Sequence, residues 1–244
     1  WGYSKAREHG GNDEPVAYLF KSKADAEGGT ADWQGGIDLE TLAAAEQRAL
    51  GWHEWFRKQA PPQFDPDQIV LAGEELGTAH GLAKLPYIRD TRRSIGLDGF
   101  ILEFADLTGP ASQKTGKVFD DRIALGAYPA DIHPLSQCEY PEYIRGAHDT
   151  LPFYIPYRAL THHQFDNLLV AGKTMAQSFL ANSATRLHPI EWSSGTAAGV
   201  IAAHMSETGK NTRNVLETIK EVQQLVSEQT PINWTLSQEQ TERE

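Results

Sequence analysis

An α/β chain, with helices and strands intermixed, is the fold this sequence predicts, on three observations. The run Asn167-Leu-Leu-Val-Ala-Gly172 is short, apolar and closed by glycine, the pattern of a strand buried on both faces in a parallel sheet. Leu39, Leu42, Ala43, Ala49, Leu50, Trp55 and Phe56 fall at helical spacing, and the pattern stops at Pro61-Pro62. From Ser194 to Met205 most residues are small, which predicts a helix that packs closely.

Size and charge narrow the function. The 244 residues are 40% apolar, enough for one large domain or two small ones with a real core. There are 33 Asp and Glu against 22 Lys and Arg, a net charge of −11. Duplex binding needs clustered basic residues, so nucleic acid is excluded as a partner and a small molecule or a protein is expected. No apolar run approaches the ~20 residues that cross a bilayer, which predicts a soluble chain without a membrane span. The lone Cys138 can form no internal disulfide and no multi-cysteine zinc site. It fits a reducing, cytoplasmic compartment and takes no redox role. The sequence begins at Trp1, with neither an initiator Met nor the order of a signal peptide, and so reads as a processed or truncated piece of a longer polypeptide.

In chain order, residues 1–36 carry seven glycines and one apolar run, Val16 to Phe20, and read as loop with one strand. Asp38 is positioned to cap the helix that follows. Phe100 to Leu107 alternates weakly and is assigned as a strand. Phe119 to Tyr128 fits either helix or strand. Phe153 to Arg158 has strand composition, with Pro156 confining it to an edge or a bulge. Val215, Ile219, Val222 and Val226 lie at helical spacing before the polar tail Ser237 to Glu244.

Several groups of side chains could carry chemistry. Gly195-Thr196-Ala197-Ala198-Gly199 reads as the opening of a helix, where small residues let a flat or anionic ligand approach free backbone N–H groups. Close helix packing explains the same glycines. Asp131 and His133 lie two apart, on one face of an extended segment, and His133 suits proton transfer at neutral pH or substrate anchoring. Its competing role is that of a carboxylate-oriented histidine holding a loop. Asp131, His133, His162 and His163 are ligand types for a metal, but adjacent histidines do not easily turn both rings to one ion, and no metal is assigned. Arg89, Arg92 and Arg93 form a group able to clamp a carboxylate or phosphate, or to form a solvated face. Arg158 is the single arginine preferred for ligand contact, with an ion pair as its competitor.

The order Asn167 to Gly172, then Ser183-Ala-Thr-Arg186, then Gly195 to Ala203 resembles the C-terminal FAD-binding segment of glutathione-reductase-like oxidoreductases. Three further stretches resemble one family within that class, the FAD dependent oxidoreductases of bacteria: Ile88-Arg-Asp-Thr-Arg-Arg93 with Gly96, Asp121 to Gly126 through Tyr128 and Asp131-Ile-His133, and Tyr154-Ile-Pro-Tyr-Arg-Ala159. The resemblance covers about residues 80 to 205. It implies a partial FAD-binding fold: a loop-rich segment over 1–36, a substrate-side domain over 37–165, a returning FAD-binding strand and helix over 166–210, and a C-terminal helix and tail over 211–244. It implies FAD as cofactor, bound by Gly172, Arg186, Gly195, Thr196, Ala197 and Ala198, with the helix near Gly195 aimed at the flavin N1/O2 edge. His133 and Arg158 are then the catalytic candidates, facing a small-molecule substrate.

One departure is severe. Members open with a strand–GxGxxG–helix unit that holds the pyrophosphate, and these 244 residues contain no such fingerprint. A polypeptide supplying the dinucleotide-binding half is therefore an expected partner. The rival readings are a non-catalytic subunit or interaction module retaining the flavoprotein fold, and a metal-dependent hydrolase built on Asp131 and the histidines.

Overall fold

The computed structural model describes residues 39–60, 62–83, 93–110, 112–132 and 146–230. The chain forms two compact units, Trp1–Ile88 with His133–Tyr143, and Arg89–Ile132 with Ile144–Glu244. The expected strand at Val16 to Phe20 and the polar tail lie outside the described residues.

In the first unit the apolar spacing yields helix α1, Leu39–Lys58, with Arg57 and Lys58 in its last turn, where cations suit the carbonyl end. Trp52 and Phe56, one turn apart, stack with centroids 5.5 Å apart, and both are only half-buried. Arg57 reaches the Pro66 carbonyl at 3.1 Å and so ties the helix to the turn after it. A four-residue helix, α2 (Gly73–Leu76), ends on Gly77 in the left-handed region, φ 65°.

The second unit holds two short sheets. Strand β1 (Arg122–Gly126) pairs antiparallel with β4 (Phe153–Pro156), and β2 (Ala130–Ile132) pairs antiparallel with β3 (Gly146–His148). Pro156 lies opposite Arg122, at the end where the register slips by a residue, the kind of place its missing N–H allows. Helix α3 (Phe179–Thr185) packs on β2. Helix α4 (His188–Thr208), α5 (Thr212–Glu217) and α6 (Ile219–Gln229) follow, with α4 and α6 both against β1. Ile123, Ile155, Tyr157, Leu160, Ile201, Val215, Val222 and Val226 are wholly buried between them. The Gln223 amide closes this face, donating to the carbonyls of Asp120 and Arg122 at 2.9 and 2.8 Å. No described helix is long and apolar enough to cross a membrane.

The fold is thus mixed helix and strand, as expected, but three local expectations are corrected. Both sheets among the described residues are antiparallel, and Asn167 to Gly172 is no parallel strand. It makes one antiparallel bridge, Leu169 to Thr161, and leaves Leu168 exposed before Gly172, at φ 70°, turns the chain away. Phe100 to Leu107 is not a strand: Leu102 forms a single bridge to Gln177, and Phe104–Leu107 winds into a 3₁₀ turn. The cause is local, since Glu103 and Asp106 each bond the other's backbone N–H, an alternative to any ladder. The small-residue helix begins at His188, one and a half turns before Ser194, because Pro189 in its first turn is already in helical conformation.

Gly96 sits where its missing side chain is required. A Cβ there would lie 2.2 Å from the Arg158 carbonyl oxygen, which itself accepts the Thr161 hydroxyl at 2.7 Å. Gly96→Ala is expected to cost about 2 kcal/mol, read as a lowered urea midpoint with unchanged slope.

Candidate functional site

The segments singled out in the sequence converge on one strap, residues 172–178, between β4 and α3. Gly172 donates its N–H to Ser194 Oγ of α4 at 3.3 Å. The Thr174 carbonyl accepts from the N–H of Ser94 at 2.8 Å. Ala176 donates to the Ala159 carbonyl at 2.7 Å and accepts from Leu102 at 3.0 Å, and Ser178 returns an N–H to the Leu102 carbonyl at 2.9 Å. Met175 and Ala176 are essentially inaccessible, so the two bonds of Ala176 satisfy backbone that water does not reach. Ser94, Ala159 and Ser194 belong to three separate sequence regions, and the strap is what joins them.

Arg158 stands beside it. Its Nε and Nη2 meet Asp121 Oδ2 and Oδ1 at 2.9 and 3.1 Å, its backbone N–H adds a bond at 3.1 Å, and its guanidinium lies 4.6 Å over the Phe100 ring. The carboxylate is buried and the arginine one-third exposed. Asp121 holds the guanidinium firmly in its charged form, raising its pKa mainly through the hydrogen bond. The neighbouring Tyr157 hydroxyl donates to the Thr212 carbonyl at 2.9 Å. Burial, with the Asp121 charge second, pushes that phenol above its ordinary range.

The predicted cofactor residues fall into different environments. Arg186 is buried and donates to the Asp131 carbonyl, joining α3 to β2. Gly172 and Gly195 are brought close through Ser194, which hydrogen-bonds the first and precedes the second. Gly195 and Gly199 face outward, and a Cβ at either would meet nothing within 4 Å. Thr196 is half-buried, Ala197 is fully buried and Ala198 packs on the core. The expectation of a helix N-terminus at Gly195 is overturned: four residues past a turn already formed, its N–H lies inside α4. At the true start Pro189 has no N–H, while those of Ile190 and Glu191 both go to the Leu187 carbonyl at 2.9 Å. The free donors assumed there are absent at these three positions.

His133, Arg89, Arg92 and Cys138 lie outside the described residues. His162 and His163 stack on each other with centroids 4.9 Å apart, and no metal-binding group of three His, Cys, Asp or Glu occurs among the described residues. A cleft of about 320 Å³ opens beside the start of α4, lined by Leu125, Gly126, Tyr128, Pro152, Leu187 and Ile190 among others. Its lining is nearly all apolar, suited to the hydrophobic part of a ligand. Sequence reasoning missed the roles of Asp121, Gln177, Asn182 and Ser194, buried polar residues that each bond at least one partner eight or more positions away.

These residues fit a flat ring system in one respect. From Trp192 to Ala203 α4 carries no charge; Gly195 and Gly199 leave its outer face open beside the exposed Trp192, while at the Gly172 turn the Glu191 side chain of α4 stands close by. Gly195 and the half-buried Thr196 leave room there for a planar ring system, whereas Ala197 is fully buried.

The family described as FAD dependent oxidoreductase matches residues 2–226 of this chain. No curated protein matches it, and no solved structure does.

Two outcomes test this geometry. Asp121→Asn keeps the size of the side chain but removes the charge under Arg158, and is expected to cost about 2 kcal/mol, below the 3–5 of a fully buried pair because the arginine is partly in water. Since the folded phenol of Tyr157 holds its proton past the unfolded value near 10, its contribution is whole below that pH and is lost as pH rises above it. Tyr157→Phe should therefore flatten the alkaline decline of stability measured by urea unfolding from pH 9 to 11.

Proposed function

The chain belongs to the FAD dependent oxidoreductase family, and from that premise we propose that it forms the C-terminal, flavin-closing part of such an enzyme and supplies its substrate contacts. FAD is the cofactor and provides the hydride chemistry when bound. The observation that carries the reading is the strap at residues 172–178, where stretches more than sixty residues apart are bonded together beside the open face of α4.

In this reading residues 166–210 contribute the returning cofactor-binding segment, with Gly172, Gly195 and Thr196 in contact with the ring and Arg186 holding α3 against β2. Residues 37–165 form the substrate side. His133, carried on the segment that leaves β2 after Asp131, serves there as proton donor or acceptor. Arg158, held by Asp121, turns a fixed positive charge toward the substrate. The pyrophosphate of FAD is held by a GxGxxG half outside these 244 residues, on the same polypeptide or another. A reducing, cytoplasmic setting goes with a single cysteine.

The purified protein, with any partner that accompanies it, is expected to show the visible absorption of oxidised flavin. Gly195→Val should lower flavin affinity about tenfold by raising a branched side chain on the open face; unchanged flavin content with an intact fold counts against that contact. His133→Ala should slow substrate reduction of the flavin by ~10²–10⁴ in stopped-flow measurements while leaving FAD occupancy intact. Reduction within a few-fold of the parent returns His133 to a loop-holding role. For Arg158 the informative variant is Arg158→Lys, which retains charge against Asp121 but loses the planar fork.

A further inference from the structure

Two nearly inaccessible amide side chains on and before α3 are directed at a single carbonyl, and a third buried group, the Thr185 hydroxyl, backs one of them. Gln177 Nε2 and Asn182 Nδ2 both donate to the Lys173 carbonyl oxygen, at 3.2 and 3.0 Å. The Gln177 Oε1 in turn accepts the hydroxyl of Thr185. Gln177 is 3% exposed, and Asn182 and Thr185 are 1% exposed. The Lys173 carbonyl, which can only accept, fixes which way the Gln177 amide faces, because the flipped amide would set its oxygen against the Lys173 oxygen; the Thr185 hydroxyl then donates to the amide oxygen.

Burying an amide or a hydroxyl is costly unless it is bonded, so two amides spent on one acceptor, with a hydroxyl bonded behind one of them, signal a backbone position that has to be held. The Gly172–Thr174 turn already closes itself through the Met175 N–H to the Gly172 carbonyl at 3.1 Å. What the clamp adds is orientation. It fixes the plane of the peptide that joins Lys173 to Thr174, while Ser194 fixes Gly172 from the other side. The held turn thus meets α4 at Ser194 and beside the Glu191 side chain, with Gly195 next in sequence to the serine that grips it.

We propose that Gln177, Asn182 and Thr185 are positioning residues for the flavin nucleotide, presetting the Gly172–Thr174 turn in its cofactor-binding conformation. The inference rests on the functional reading above and adds these three residues to it. A turn already held in the bound shape does not lose conformational freedom when the ligand arrives, and that saving appears as affinity.

The test uses the FAD-loaded enzyme and its apo form, with two readouts. The first is FAD affinity, followed by flavin fluorescence. The second is tryptic cleavage after Lys173 in the apo form, with and without added FAD, followed by mass spectrometry. Thr185→Val is isosteric and uncharged and frees the Gln177 amide, so it should lower FAD affinity about tenfold, the equivalent of one buried polar group left unpaired. It should also speed cutting at Lys173, with the far-UV spectrum unchanged. Thr185→Ser, which keeps the hydroxyl, should restore both. Gln177→Glu and Asn182→Asp, which replace a donor with an acceptor facing the same carbonyl, should show the larger losses. In the parent, saturating FAD should protect Lys173 from trypsin.

Faster cutting in Thr185→Val with parental FAD affinity overturns the proposal, since the clamp then serves only the fold. Absence of FAD protection at Lys173 in a parent that binds FAD overturns it as well. Failure of the parent to take up FAD in any preparation instead defeats the functional reading itself, and the inference with it.

Discussion

The structure depends on satisfying one buried run of backbone. Between Gly172 and Ser178 the chain belongs to no sheet or long helix, and its middle, Met175 to Gln177, is buried, so no regular ladder meets its hydrogen-bonding needs. Each group must find a separate partner, and the partners come from Ser94, Leu102, Ala159 and Ser194. A buried N–H or C=O left unbonded costs as much as a lost hydrogen bond or more. The segments that supply those partners are therefore bound into one arrangement. This gives a physical reason for motifs scattered over more than a hundred residues to occur together: they are the walls of a single passage.

The Asp121–Arg158 pair secures the same region from the side. Asp121 immediately precedes β1 and Arg158 follows β4, so the pair locks the open end of a two-stranded sheet where Pro156 gives no N–H to the ladder. Strand pairs this short are marginal alone. Here the sheet survives because α4 and α6 cover it and the ion pair pins its end. One arginine thereby acts as a structural anchor while carrying a fixed charge, and its Phe100 platform limits where that charge can point.

Much of this was legible in the sequence, and the failures have identifiable causes. Helical spacing of Leu39 to Phe56 located α1, and the valines at 215, 222 and 226 located buried faces of α5 and α6. The break between those two helices at Thr218 left no mark in the apolar pattern. For Phe100 to Leu107, alternation suggested a strand, but the reciprocal bonds of Glu103 and Asp106 won over a weak pattern. Ser194 and Gly195 resembled a helix start because both are common there, yet Pro189 had begun the helix earlier. Asn167 to Gly172 matched the composition of a buried strand, but composition does not count neighbours, and this segment has one bridge. The buried polar residues of the site were invisible for a related reason. A glutamine or asparagine in sequence looks like surface until its acceptor is known.

The bonds from Gln223 to the carbonyls of Asp120 and Arg122 span 103 and 101 positions. During synthesis the ribosome makes β1 well before it makes the residue that seals its backbone. At roughly 5–20 residues per second the nascent chain spends on the order of ten seconds with those carbonyls uncovered and with Ile123 and Ile155 short of the helices that bury them. Vectorial folding from the N-terminus cannot finish this unit. Its core closes only when α6 returns, which makes α6 the committing element of folding as well as one wall of the core.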